Sequence, residues 1–171
     1  MKTRIFSGFL IPFLLVSCFV TAASKKKADK DTQQWRYEIE TVGSAVQGTA
    51  QVKVWTYSKN QNTAIDQAKK NAVHGVIFKG TPDNGRIRGQ RALAQDPNIE
   101  VEQGEFFNAF FEDGGKYLKF VSLVNNGAIA PGDRVKVGKE YKIGITVQVN
   151  TLSLRKELED AGVVRSLGSG F

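Results

Sequence analysis

A single histidine, His74, must serve any acid–base or metal chemistry that an imidazole would perform in this chain. One imidazole, with no serine or cysteine in a recognisable arrangement beside it, does not assemble a nucleophilic triad. His74 falls late in an amphipathic segment beside Val73, and is read as a partly buried or surface helix residue. The only cysteine, Cys18, lies in an N-terminal apolar run, so the folded part has no thiolate for a structural zinc site. Glu100, Glu102 and Glu105 are strung along a predicted helix, facing solvent, instead of clustering around a turn glycine as a calcium loop would require. Gly80-Thr81-Pro82-Asp83-Asn84-Gly85 has the glycine spacing of a phosphate-binding loop. Arg86 and Ile87 stand where Lys and Ser or Thr must follow, and the segment comes after a helix, so the motif fails. The adjacent acids Glu112 and Asp113 do not face each other across a substrate as a glycosidase pair must. The expectation is no catalytic site, no metal and no cofactor.

Binding chemistry is better represented. Trp55 and Tyr57 share one face of a predicted strand with Gln51 and Lys53. Open to solvent, that face is an adhesive patch; under a helix or loop, the two rings are ordinary interior residues. Arg86, Arg88 and Arg91 fall in an irregular segment, where they either grip an acidic partner or a phosphate or form a solvated loop. Trp55, Tyr57, Arg86, Arg88 and Arg91 are the candidate partner surface. Nucleic acid is not an expected partner. The formal charge is +7, but Lys2, Arg4 and the lysine-rich stretch after residue 24 supply much of it. The remaining basic side chains are interleaved with acids, without a strip of stacking aromatics.

The N-terminus has the layout of a bacterial export signal: Lys2 and Arg4, an apolar run from Ile5 to Val20, and small residues from Thr21 to Ser24. The run is short for a bilayer-spanning helix, which needs about 20 predominantly apolar residues. Two processing routes compete. Val20 with Ala22, or Thr21 with Ala23, suits ordinary cleavage, whereas Leu15-Val16-Ser17-Cys18 resembles a lipobox that would acylate Cys18. The chain stays apolar through Phe19 and Val20, which favours ordinary cleavage. Residues 1–23 are thus expected to be a signal peptide, 24–34 a flexible basic lead-in and 35–171 one domain, without disulfides despite an oxidising compartment. Its stability must come from packing.

The elements that position these residues follow from periodicity. Trp35, Tyr37 and Ile39 alternate with Arg36, Glu38 and Glu40, and Thr49 to Tyr57 alternates likewise, giving two strands. A helix capped by Asn62 or Thr63, with Asp66 completing a capping box, carries Ala64, Ala68 and Ala72 in one row for close approach to a sheet. Gly80 and Pro82 end it. Asp96-Pro97 opens a second helix that reaches Phe106, Phe107, Phe110 and Phe111. Tyr117 to Val124 is a strand. Tyr141 to Val149 alternates most clearly, and Val135 and Val137 are either its start or a separate short strand with Gly138 as bulge or turn. Thr151 to Ala161 is the last helix, with Leu154, Leu158 and Ala161 on one face and Gly162 as its stop. The order ββααββα predicts an α+β, two-layer sandwich: a mainly antiparallel sheet with helices on one face. The terminal Phe171 does not make the chain an outer-membrane barrel, given its helical segments.

The strand ending at Thr41-Val42-Gly43, the strand after it, and Ala64-x-x-x-Ala68-x-x-x-Ala72 leading to Gly75 resemble a small domain of bacterial envelope lipoproteins. The N-terminal domain of the flagellar T-ring protein has the same pattern, and the whole chain is similar to secreted envelope proteins of Bacteroidota. The resemblance rests on the stretch from Glu38 to Phe78 and transfers no functional residue. It implies service in envelope assemblies instead of catalysis. The expected function is therefore that of a non-enzymatic, exported envelope protein, periplasmic or outer-membrane-associated, that binds other envelope proteins. Its membrane contact would come only through a lipid on Cys18. The alternative is a small-ligand or polysaccharide-binding module using the aromatic strand face.

Overall fold

The structure, a computed structural model, describes residues 35–43, 47–85 and 87–166. The expected leader, the lead-in, Cys18, Arg86 and Phe171 lie outside the described residues. Five strands form one antiparallel sheet: β1 (Glu38–Gly43), β2 (Ala50–Ser58), β3 (Val121–Leu123), β4 (Arg134–Val137) and β5 (Glu140–Val149). β5 is the longest and lies centrally, pairing with β2 on one side. On its other side β3 pairs with Val147 to Val149 and β4 with Glu140 to Ile143, so these two short strands share one edge end to end. The class is α+β.

The helices are α1 (Gln61–His74), α2 (Ile99–Glu102), α3 (Gly104–Phe110) and α4 (Thr151–Asp160). α1 continues into a wider π turn, Gly75–Lys79, in which the N–H of Gly80 donates to the carbonyl of Gly75 at 2.8 Å. The row Ala64, Ala68 and Ala72 is wholly buried and packs α1 against β2 and β5. Methyl side chains let the helix backbone come close to Val52, Val54, Ile143, Ile145 and Val147, which are also buried. Each such aliphatic side chain contributes roughly 1.5–3 kcal/mol on burial. Val52 and Val54 thus face the helix, while Gln51, Lys53, Trp55 and Tyr57 face the other way, as their alternation predicts.

Several local expectations are corrected. α1 is capped by Asn60, whose side chain accepts the N–H of Asn62 at 2.8 Å; Thr63 is buried inside the helix instead of capping it. The second helix is broken into α2 and α3 at Gln103, whose φ/ψ of −105°/32° lies outside the helical region. Residues Lys116–Phe120 form a 3₁₀ turn and only Val121–Leu123 extend as strand. Val135 and Val137 belong to a separate strand, with Gly138 at positive φ in the tight turn to β5. Leu154 and Leu158 are buried as expected, but Ala161 is exposed beyond the end of α4. The element order is accordingly ββαααβββα.

Candidate functional site

The face of the sheet turned away from α1 gathers Trp55 and Tyr57 with a set of charges. In the antiparallel register Trp55 stands between Glu38 and Gly144, and Tyr57 lies opposite Lys142. Residues directly opposite share a face, so Val135, which pairs with Lys142, and Val137, which pairs with Glu140, continue the same surface. Both are solvent-facing, at 50% and 44% exposure. Trp55 and Tyr57 are half-buried. They are covered not by a helix but by charged side chains. The Arg36 guanidinium sits 3.9 Å from the Tyr57 ring centroid. The ammonium groups of Lys142 and Lys53 lie 5.1 and 5.6 Å from the Trp55 ring.

Hydrogen bonds fix these rings. Trp55 Nε1–H donates to Glu40 Oε1 at 2.9 Å, and the Tyr57 hydroxyl donates to Glu38 Oε1 at 3.4 Å. Lys142 Nζ donates to the other Glu38 oxygen at 2.6 Å, a bond that raises the lysine's pKa. Lys53 pairs with Asp133 at 2.8 Å and Arg36 with Glu140 at 3.5 Å. Gly144 makes room for the indole: a Cβ there would lie 3.1 Å from Trp55 Cζ3. The surface therefore presents aromatic edges, arginine and aliphatic side chains held in one orientation.

Arg88 and Arg91 lie elsewhere, on the segment after α1. They line a cleft of about 620 Å³ together with Lys79, Thr81, Asp83 and Gln90. The predicted partner residues are thus split between two surfaces, Trp55 and Tyr57 on the sheet, Arg88 and Arg91 on the loop.

A third constellation was not anticipated from the sequence. His74 is buried, and both its ring nitrogens are engaged. The Tyr37 hydroxyl lies 2.7 Å from Nδ1, and Glu100 Oε1 lies 3.1 Å from Nε2. A carboxylate only accepts, so Nε2 carries the proton and donates to Glu100, and Tyr37 O–H donates to Nδ1. The indole of Trp35 stacks on the imidazole at 3.5 Å between centroids, and Phe78 and Phe111 close around it. Burial, with Lys79 adding to it, pushes the His74 pKa down to about 3. Burial likewise raises Tyr37, with the Glu100 charge adding to the effect. Glu100 is raised by desolvation, against which a Trp35 hydrogen bond and Lys79 pull it down. His74 is therefore a neutral imidazole in a closed aromatic cage, and Glu100 is half-buried instead of solvent-facing. Gly75 permits this closeness, since a Cβ would lie 2.9 Å from Ile39 Cδ1 and 3.4 Å from the Tyr37 hydroxyl. The chain of bonds clamps the approach to β1 onto α1 and α2.

Among the described residues no group of three or more His, Cys, Asp or Glu side chains is placed to hold a metal ion. None of their helices is long and apolar enough to cross a membrane. Comparison with protein families, curated proteins and solved structures finds no match for this chain.

Proposed function

We propose that this chain is a non-catalytic, exported envelope protein that docks another envelope protein on the open face of its sheet. In this reading the domain is a two-layer sandwich whose helices lie over one face and whose other face is the working surface. The observation that carries it is the juxtaposition of Trp55, Tyr57 and Arg36 with the exposed pair Val135 and Val137. Tryptophan, tyrosine and arginine are the residue types that dominate binding energy at protein interfaces. Here hydrogen bonds and cation–π contacts hold them in place, so little side-chain freedom is lost on association. The ion pairs around them are internal to the face, which leaves its net charge near balance and suits a partner of mixed polarity.

A polysaccharide surface would need bare aromatic faces for sugar rings to stack on. Arg36 lies over Tyr57 and two lysines flank Trp55, an arrangement that favours protein over glycan. Export rests on the layout of residues 1–23.

The test is in-cell cross-linking of the native protein against a variant carrying both Trp55→Ala and Tyr57→Ala. The parent should give a discrete heteromeric adduct that the variant loses. An adduct of undiminished yield in a variant that remains folded by circular dichroism would refute the assignment of this face.

A further inference from the structure

We infer that the cleft lined by Lys79, Thr81, Asp83, Arg88, Gln90 and Arg91 is a binding site for a phosphoryl group, separate from the sheet face. The segment is a closed hairpin. Thr81 and Gln90 exchange backbone hydrogen bonds at 2.7 and 3.1 Å, and Asn84 and Ile87 do the same at 2.9 and 3.0 Å. This sets Arg88 and Arg91 on the returning arm opposite Lys79 and Thr81 on the outgoing one. The hairpin is pinned to the body of the domain. The Thr41 hydroxyl donates to the Pro82 carbonyl at 2.6 Å, and Asn84 Nδ2 donates to the Thr41 carbonyl at 2.6 Å. Beyond it, Leu93 and Ala94 N–H groups donate to the carbonyls of Val76 and Ile77. The backbone that carries these side chains is thus held in place before binding.

Its charges are unbalanced in a way that asks for an anion. Asp83 is the one acid in the lining, and its Oδ1 already accepts the Gly89 N–H at 2.6 Å. Thr81 Oγ1 similarly accepts the Gln90 N–H at 2.9 Å. Arg88 and Arg91 are exposed and form no ion pair among the described residues. Lys79 is steadied 4.0 Å over the Tyr37 ring. Lys79 also acts on Glu100, on α2 outside the cleft, opposing the burial-driven rise of that carboxyl's pKa. Two planar guanidinium forks and an ammonium match the geometry of a phosphate monoester and its charge of about −1.5 to −2 at pH 7. A lone carboxylate would leave most of that positive charge unanswered. The space, about 620 Å³, admits a phosphorylated small molecule or the headgroup of a phospholipid.

The two sources are separated by probe. Titration calorimetry with inorganic pyrophosphate reports a soluble phosphate. Flotation with phosphatidylcholine vesicles, with and without phosphatidic acid, whose headgroup is a phosphate monoester, reports a headgroup. Each is run on the parent, on an Arg88→Gln, Arg91→Gln variant, and on a Lys136→Gln, Lys139→Gln variant that loses equal charge from β4 and the turn after it. Saturable binding by either probe, weakened roughly tenfold or more in the cleft variant and changed less than about twofold in the turn variant, supports the site and names its source. Absence of saturable binding by both probes overturns it, and so does equal weakening in the two variants. Loss of phosphoryl binding with the cross-linked adduct intact distinguishes failure here from failure of the sheet-face assignment.

Discussion

At the scale of single residues, His74 is the most constrained group in the domain. Its ring is neutral, both nitrogens are bonded, and Trp35 and Phe111 seal it from water. The consequence for pH has a definite sign. The folded-state pKa, about 3, lies below the value of about 6.5 expected for an unfolded histidine. The unfolded chain therefore binds the extra proton first, and stability is lost as pH falls from the unfolded value toward the folded one. Glu100 works in the opposite direction, because its raised pKa gives a contribution present at low pH and lost as pH rises. Urea denaturation should show the parent losing on the order of 2 kcal/mol between pH 6.5 and 4.5. A His74→Phe variant should show a much flatter profile over the same range. Equal slopes in the two proteins would mean that the cage does not control acid stability. This clamp was illegible in the sequence because its members are far apart: Tyr37 is 37 residues and Glu100 26 residues from His74. A lone histidine on a helix gives no sign of what the fold will bring to it. The one available hint was Gly75 directly after it, a residue that here permits close approach of Tyr37.

At the scale of elements, packing of α1 decides how the sheet is presented. Its alanine row leaves no room for larger side chains against β2 and β5. Ala68→Leu should cost about 1–3 kcal/mol by overpacking, and chemical denaturation at neutral pH measures this. Asn60→Ala removes the acceptor of the Asn62 N–H and should cost about 1 kcal/mol in the same assay; a Thr63→Ala change would lack that capping component, since Thr63 is not the cap. The alternation of β2 and β5 made both strands legible, because each has one buried and one half-open face. The alanine row made α1 legible for the same kind of reason. The central region was harder. Phe106, Phe107, Phe110 and Phe111 suggested one continuous helix, yet tertiary packing around His74 and Tyr117 is served by two short helices with a break at Gln103. Apolar periodicity identifies which residues are buried there but not where the backbone turns. Capping residues were misplaced by a few positions, since Asn60, Asn62 and Thr63 are all chemically competent caps.

At the scale of the whole molecule, two surfaces with different chemistry are held by one scaffold. The sheet face carries aromatic and aliphatic groups within a balanced set of ion pairs. The hairpin cleft carries cations with little opposing charge. Trp55, Tyr57, Arg88 and Arg91 were recognisable individually by type, but their separation into two sites depends on how the chain folds back after α1. Mass spectrometry of the native N-terminus should find a chain that begins at residue 23 or 24, with Cys18 removed along with the leader; an acylated N-terminal Cys18, or a cytosolic form retaining Met1, would contradict export with ordinary cleavage.

The most direct measurement of the sheet-face account is site-specific photocross-linking in intact cells. A photoreactive residue placed at Val135, on that face, is compared with one at Val101, which is 85% exposed on α2. Position 135 should give a discrete adduct of defined mass, and position 101 none of that mass. The same adduct from both positions, or from position 101 alone, would contradict it.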